Sequence, residues 1–185
     1  MLGMNCSTEV HVVNWRDIVS SLNDLYDKKL ADPALELAAK NSRQRIIIQI
    51  HDSFADTQQL AINAMLGTTY VRPHRHNEVE KTEIFRIVLG RADIFLFDND
   101  GNVTQIIEIG DKPDDRKVVA IRSGRWHTVV PRSDKVVLLE AKRQGPKGYP
   151  GIDMDKEMAP WAPDETHCDE RRKYLEHLSC AAERS

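Results

Sequence analysis

Short apolar runs follow one another between residues 43 and 143, and this succession constrains the fold more than any other feature of the sequence. The runs are rich in β-branched residues, and turn residues such as glycine and aspartate separate them, which is typical of β-strands. We predict at least eight strands and therefore a mainly β fold of the sandwich or barrel type, which includes the jelly roll. The runs are RQRIIIQIH, QQLAINAML, TEIFRIVLG, RADIFLF, VTQIIEIG, KVVAIRSG, WHTVVP and KVVLLEAKR.

Two turn signals lie inside this region. Gly90-Arg91 separates two runs that are apolar at nearly every position, so we predict a hairpin whose strands are covered on both faces. Asp100-Gly101 predicts a second tight turn, because this dipeptide is one of the strongest short-range turn signals.

The composition changes on both sides of the β-rich region, so we divide the chain into three parts. The N-terminal part has apolar residues at helical spacing, and we predict helices that begin at Trp15 and at Asp32-Pro33, with aspartate as the cap of the second. The C-terminal part is first rich in glycine and proline, as expected of a lid or a covering arm, and then polar and helical. The parts are an N-terminal helical segment (1–42), a β-barrel (43–144), and a C-terminal arm with a tail helix (145–185).

The composition excludes several classes of protein. The net charge is −3, which argues against nucleic acid or an anionic membrane as a partner. The three cysteines, Cys6, Cys168 and Cys180, are odd in number and not in CxxC spacing, so we expect a reducing compartment. There is no evident signal peptide, and no apolar run approaches the ~20 residues that span a bilayer. We therefore expect a soluble cytoplasmic protein.

Three histidines and a glutamate have the spacing of a metal site. His74 and His76 are two residues apart, so in a strand both side chains point to one face. Glu83 opens the run that follows, and His127 lies at the start of a later one. Such a ligand set is common for a divalent transition metal, and it accepts Zn, Fe, Ni or Mn, so the identity of the metal stays open.

This spacing resembles the first motif of the cupin superfamily, G-x5-H-x-H-x3/4-E-x6-G. His74 and His76 match its histidines, and Glu83 and Gly90 match its glutamate and last glycine. Here six residues separate His76 from Glu83, instead of the usual three or four.

The second cupin motif, G-x5-P-x-G-x2-H-x3-N, is matched less completely. Gly124 and His127 keep its G-x2-H spacing. Arg122 stands where the motif has proline, and Pro131 where it has asparagine.

Longer segments are similar to the WbuC family of cupin-fold metalloproteins, over roughly residues 15 to 165. A likeness of this extent is more specific than one short motif. The segments are RQRIIIQIH, YVRPHRH, KTEIF, LFDNDG, GRWHTVV, Gly145-Pro146 and KEMAPWAPDE.

The long gap in the first motif leaves three candidates for the carboxylate ligand. Counting forward from His76 selects Glu80, counting backward from Gly90 selects Glu83, and Glu78 lies between His76 and Glu80. We favour Glu83, because the register of a core strand is fixed by its alternation whereas a polar loop tolerates extra residues.

The resemblance implies a cupin barrel, that is, a double-stranded β-helix or jelly roll, and a family named from O-antigen and surface-polysaccharide gene clusters. We therefore expect a metal-dependent enzyme that acts on a small carbohydrate-derived substrate such as a sugar or sugar nucleotide. The alternatives are a non-catalytic metal- or sugar-binding module with a regulatory role, and a metal that only stabilises the barrel. Analogy with other cupins predicts a homodimer. The implied ligands of the single divalent metal are His74, His76, Glu83 and His127.

Five further residues are candidates for a substrate pocket, and no residue is assigned a catalytic role. Histidine is also found in the resembled family at the position of His51. Tyr70 and Arg72 lie an even number of residues from His74 and His76, so in a continuous strand they would point to the same face as these histidines. Lys81 lies two residues from Glu83 and would likewise point to the face of Glu83. Trp126 offers a face on which a sugar stacks. For Trp126 the sequence favours core packing over a role in the pocket. His51 is equally compatible with a surface position, and the other three with structural ion pairs.

Overall fold

The computed structural model of the chain describes residues 31–53, 56–77, 81–143 and 156–183. Within these residues the chain forms two α-helices and ten β-strands. The helices are α1 (Ala31–Lys40) and α2 (Cys168–Ala182). The strands are β1 (Arg45–Gln49), β2 (Gln58–Leu66), β3 (His74–His76), β4 (Glu83–Leu89), β5 (Arg91–Phe97), β6 (Val103–Gly110), β7 (Val118–Ile121), β8 (Trp126–Pro131), β9 (Lys135–Arg143) and β10 (Lys156–Met158).

The strands form two five-stranded sheets in which all paired neighbours are antiparallel. The first sheet has the order β1-β2-β9-β4-β7, and the second has the order β10-β3-β8-β5-β6. Strands far apart in sequence lie side by side in both sheets, because the chain crosses repeatedly from one sheet to the other. This is the jelly-roll arrangement, so the predicted cupin fold is confirmed.

Gly90 does not turn a hairpin, and the predicted pairing of β4 with β5 is wrong. β4 lies in the first sheet between β9 and β7, whereas β5 lies in the second sheet between β8 and β6. Gly90 has a φ of +80°, and a Cβ atom there would collide with the backbone of Lys135, so glycine allows a tight corner between the sheets. Both runs are apolar on nearly every position, so their pattern does not indicate which sheet each one joins.

The turn predicted at Asp100-Gly101 is confirmed. It connects β5 to β6, which pair antiparallel. The carboxylate of Asp98 accepts hydrogen bonds from the backbone N–H groups of Asp100 and Asn102, at 2.9 and 2.8 Å. These contacts close the turn locally, as expected for an aspartate at its first position.

Apolar side chains form three buried clusters. Helix α1 buries Leu35 against the outer face of the first sheet. A second cluster lies between the sheets and contains Ile94 and Leu138, both 0% exposed. The third cluster contains Phe97 on the outer face of the second sheet, and α2 buries Leu178 against it. Full burial of one leucine contributes about 1.5–3 kcal/mol, so both helices are held by packing on the barrel.

The described parts of both flanking segments agree with the predicted helices. The helix predicted from Trp15 lies outside the described residues. The second predicted helix is present as α1, but Asp32 lies in its first turn and is not its cap. The predicted tail helix is present as α2, where Cys168 and Cys180 are free and exposed. Neither described helix is long and apolar enough to cross a membrane. The boundaries of the three parts stay a prediction.

The C-terminal arm contributes a strand to the barrel, which the sequence pattern did not predict. β10 pairs with β3, and the side chain of Glu157 reaches Arg75 at 2.8 Å. Further along the arm, Trp161 packs on the third apolar cluster, with its ring centroid 4.9 Å from that of Phe97. The arm therefore completes the sheet that contains the histidine strand.

Candidate metal centre

The two sheets bring the four predicted ligands together. β3 carries His74 and His76, and β8 places His127 directly opposite His74 in the register of the second sheet. Glu83 begins β4 in the first sheet, so the carboxylate approaches the histidines from across the barrel. All four side chains are buried, with residue exposures between 1% and 6%.

The distances between the ligand atoms fit a shared metal ion. The Nε2 atoms of His76 and His127 lie 3.1 and 3.0 Å from the two carboxylate oxygens of Glu83. The ligand atoms of His74, His76 and Glu83 all lie within 4.8 Å of one another. Two atoms that bind one metal at about 2.1 Å and at right angles are about 3.0 Å apart, so a divalent ion fits this cluster.

The nitrogen of His127 is close to Glu83 without being hydrogen-bonded to it. Its Nε2 atom is buried and has no hydrogen-bond partner among the described residues, although a Glu83 oxygen is 3.0 Å away. A buried polar atom without a partner is uncommon and needs an explanation. A lone pair that points to a common centre, and not to the neighbouring oxygen, accounts for both observations.

Backbone carbonyls orient two of the rings. Nδ1 of His74 lies 2.9 Å from the carbonyl oxygen of Arg72, and Nδ1 of His127 lies 2.9 Å from that of Arg125. A carbonyl only accepts, so each Nδ1 carries the proton and donates it. This assignment leaves Nε2 of each ring unprotonated, as a metal ligand requires.

Burial and charge favour the same protonation states. Burial, and then the charge of Lys156, lowers the pKa of His74 well below its usual value of 6.5. Neutral imidazole and ionised carboxylate are the forms that bind a divalent ion.

A cavity of about 100 Å³ lies beside the cluster, and His74 and Glu83 form part of its wall. A group of three polar residues, which we call the far-wall triad, lines the same cavity: Asn63, Glu140 and Lys142. Within the triad, Asn63 donates a hydrogen bond of 2.6 Å to Glu140, and the Lys142 ammonium lies 3.0 Å from the other Glu140 oxygen. The other lining residues are Arg45, Ile46, Ile47, Gln49, His51, Gln59, Leu60, Ala61, Met65, Val71, Phe85, Val129, Leu138 and Lys156.

Of the five residues proposed for the substrate pocket, His51 lines the cavity and four do not. The Tyr70 hydroxyl donates a hydrogen bond of 2.8 Å to the carbonyl of Pro163. The Arg72 guanidinium pairs with Asp164 at 2.8 Å. Both side chains therefore hold the C-terminal arm against the barrel.

Trp126 and Lys81 also lie away from the cavity wall. Trp126 belongs to the third apolar cluster, next to Trp161 at 6.1 Å between ring centroids, and the Arg75 guanidinium lies over its ring at 4.3 Å. Lys81 is 3% exposed and is not among the described residues that line the cavity. The competing carboxylates Glu78 and Glu80 lie outside the described residues.

The sequence interpretation missed the charged residues of the cavity. Glu140 and Lys142 alternate within the otherwise apolar run KVVLLEAKR, and this alternation is a signal that both point to one face. Lys156 had no such signal, because it lies in a segment that resembles a loop and joins the sheet through only three residues.

Part of the sequence matches a family without an assigned function. Residues 26–109, less than half of the chain, match a family described as a domain of unknown function (DUF6016). No functionally curated protein matches the sequence.

Three solved structures illustrate the structural likeness. Protein SO0799 from Shewanella oneidensis is 11% identical with a TM-score of 0.53, over 69% of this chain and 83% of that one. A Klebsiella pneumoniae protein with a double-stranded β-helix domain is 12% identical with a TM-score of 0.44, over 62% and 84%. A variant of oxalate decarboxylase from Bacillus subtilis is 12% identical with a TM-score of 0.46, over 62% and 27%. Of these, the first has a TM-score above 0.5 and supports the fold, and at such low identity the likeness extends to the fold alone.

Proposed function

We propose that this protein is a mononuclear metalloenzyme that acts on a small molecule bound in the cavity of its barrel. His74, His76, Glu83 and His127 hold one divalent transition metal, Zn, Fe, Ni or Mn. The observation that carries the proposal is the buried Nε2 atom of His127, which lies 3.0 Å from Glu83 without a hydrogen-bond partner among the described residues.

A divalent ion in this cluster supplies Lewis acidity, which polarises a substrate oxygen. The residues around it position and insulate the reacting groups. The carbonyls of Arg72 and Arg125 fix two histidine rings, and Glu83 offsets one positive charge of the ion. Apolar side chains of the cavity, such as Phe85 and Val129, limit the access of water.

The position of the cavity favours a functional metal over a purely structural one. A structural site is closed by its ligands, whereas a catalytic site keeps an open position towards a pocket. Here two of the four ligands, His74 and Glu83, form part of the cavity wall. A small molecule in the cavity is therefore placed next to the metal.

A link to surface polysaccharides, a sugar ligand and membership of the WbuC family rest on the sequence resemblance alone. The cavity of about 100 Å³ is small compared with the ~300–1,000 Å³ of drug-sized pockets, which favours a ligand smaller than a sugar nucleotide. Trp126, the expected stacking residue, packs near Trp161 in the third apolar cluster. Cytoplasmic location and a homodimer likewise stay predictions.

Metal analysis of protein purified without an affinity tag tests the site. We expect one divalent ion per chain, and we expect His74→Ala to lose it because a ligand is removed. His51→Ala is the matched control, since His51 lines the same cavity outside the cluster and should leave the metal in place. Equal metal content in the wild type and His74→Ala would show that the ligand assignment is wrong.

A second measurement separates an open site from a closed one. In protein substituted with Co²⁺, the visible absorption reports the coordination number. Addition of azide should change the spectrum, because an open position accepts an external ligand. An unchanged spectrum at saturating azide would instead indicate a structural metal.

A further inference from the structure

Lys156 lies on the wall of the cavity, on the strand next to the metal histidines. The pairing of β10 with β3 places Lys156 directly opposite His76, and residues opposite each other share one face of a sheet. The neighbouring residue Glu157 points to the other face, where it meets Arg75 at 2.8 Å. Lys156 is half-buried and lines the cavity. Its influence on the pKa of His74 agrees with this position.

The other cations of the cavity wall already have partners. Arg45 donates to Glu165 at 2.7 Å, and Lys142 lies 3.0 Å from Glu140 within the far-wall triad. The ammonium group of Lys156, in contrast, forms no hydrogen bond or ion pair with any residue in the described part of the chain. It is therefore the lining cation available to a ligand.

Lys156 and the metal cluster together carry an excess of positive charge. Glu83 offsets one charge of a divalent ion, so the occupied cluster keeps about one positive charge and Lys156 adds another. Two neighbouring positive charges in a half-buried cavity are unfavourable unless an anion lies near both. The cavity therefore selects for an anionic ligand.

The rest of the wall indicates that this anion has a carbon skeleton. Met65, Val71, Phe85, Val129 and Leu138 line the cavity. Apolar side chains favour an apolar ligand surface, which inorganic phosphate does not offer and a sugar, with its many hydroxyl groups, offers only in part. The volume of about 100 Å³ limits this ligand to a small molecule.

We propose that the ligand of this cavity is a small organic acid whose carboxylate pairs with Lys156 beside the metal and whose short carbon body lies against the apolar wall. The inference rests on the proposed metal site and adds the chemical class of the substrate. It assigns Lys156 as the residue that selects for the carboxylate.

The test measures binding of defined probes to the Co²⁺-substituted protein. Metal content is determined first, and the change in visible absorption then gives dissociation constants for propanoate, pyruvate, propanamide, inorganic phosphate and glucose. We expect both acids to bind more tightly than the isosteric amide, phosphate or glucose. Lys156→Met should weaken binding of propanoate by about tenfold or more, because it removes a charge-assisted hydrogen bond and keeps the side-chain stem.

Control variants separate this role from a general effect of charge or folding. Lys156→Arg keeps the charge and should retain most of the affinity, and Lys135→Met removes an exposed lysine and should have no effect. Lys156→Gln, checked by circular dichroism, serves if Lys156→Met does not fold.

The outcomes distinguish the two proposals. Wild-type protein that binds no Co²⁺ overturns the proposed function and this inference with it. Metal-loaded protein that binds propanamide or phosphate as tightly as propanoate overturns the inference alone. The same holds if Lys156→Met keeps the wild-type affinity for propanoate.

Discussion

The metal cluster and the far-wall triad are both buried, charged and adjacent to one cavity, yet they differ in how their polar atoms are paired. In the triad, the two oxygens of Glu140 are taken by Asn63 at 2.6 Å and Lys142 at 3.0 Å. In the metal cluster, Nε2 of His127 has no hydrogen-bond partner among the described residues, although Glu83 is 3.0 Å away. The oxygens of Glu140 are thus paired within the triad, whereas one nitrogen of the metal cluster is left unpaired within the described residues.

The comparison shows that burial and charge do not by themselves identify a binding site. Native proteins bury ionised groups when each one is paired and hydrogen-bonded, as Glu140 is. A site for a ligand differs because part of its bonding capacity is left for the ligand. Glu83 and Glu140 have similar exposures of 3% and 8%, and they differ in their neighbours, because Nε2 of His127 beside Glu83 is unpaired among the described residues.

The largest expected effect is on metal affinity, and matched carboxylate-to-amide changes test it. Glu83→Gln removes the one carboxylate among the four assigned ligands and should raise the dissociation constant for Zn²⁺ by about 100-fold or more, since even residues that only orient ligands contribute 10–100-fold. Glu140→Gln makes the same chemical change in the same cavity and should alter it by less than about threefold. Titration against a fluorescent zinc indicator measures both. Similar losses in the two variants would remove the distinction between the clusters.

The next largest effect is on the free energy of unfolding, and changes in the far-wall triad test it. Glu140→Ala leaves the Lys142 side chain, which is 13% exposed, without its counter-charge and should lower the free energy of unfolding by about 3 kcal/mol. The double variant Glu140→Leu/Lys142→Met removes both charges and should recover most of this loss. Urea denaturation of metal-loaded protein measures the two values. A double variant no more stable than the single one would show that the ion pair is not what Glu140 contributes.

The smallest effect is the pH dependence of the metal-free protein. The pKa of His74 is lowered in the folded state, so below the usual value of 6.5 the unfolded chain binds a proton that the folded chain does not. The stability is therefore fully present above about pH 6.5 and decreases as the pH falls below it.

Melting temperatures in the presence of a chelator, measured between pH 7.5 and 5, check this dependence. His74→Asn should reduce the slope, because the residue no longer titrates. His177→Asn, a change at an exposed position of α2, should keep the wild-type slope. A melting temperature of the wild type that is constant over this range would contradict the assignment of His74 as a buried neutral histidine.

The eight long strands were predictable because each has enough apolar and β-branched residues to show its pattern. The strands β3 and β10 have three residues each, and no periodicity is measurable over that length. Their positions depend on pairing with each other, which is a tertiary interaction. The prediction of a hairpin at Gly90 was wrong for a related reason. Apolar runs on both sides of a glycine are compatible with a hairpin or with a corner between two sheets.

The metal cluster was predictable because alternation places His74 and His76 on one face of a strand. The same parity argument did not place Tyr70 and Arg72 in the cavity. They precede Pro73 and lie before β3 begins, so the alternation of the strand does not extend to them. Lys156 was not predictable, because its place opposite His76 depends on the docking of a distant arm.

The pairing of β3 has a consequence for the order of events during synthesis. β3 pairs with β8 at a single position, His74 opposite His127, whereas it pairs with β10 at all three of its residues. Chains fold from the N-terminus as they leave the ribosome, so the strand with both histidines emerges about 80 residues before its main partner. A nascent chain can assemble most of the barrel while the histidine strand still lies at a sheet edge. A chain released before residue 156 would therefore contain all four candidate ligands, but it would lack Lys156 and the strand that covers the edge of β3.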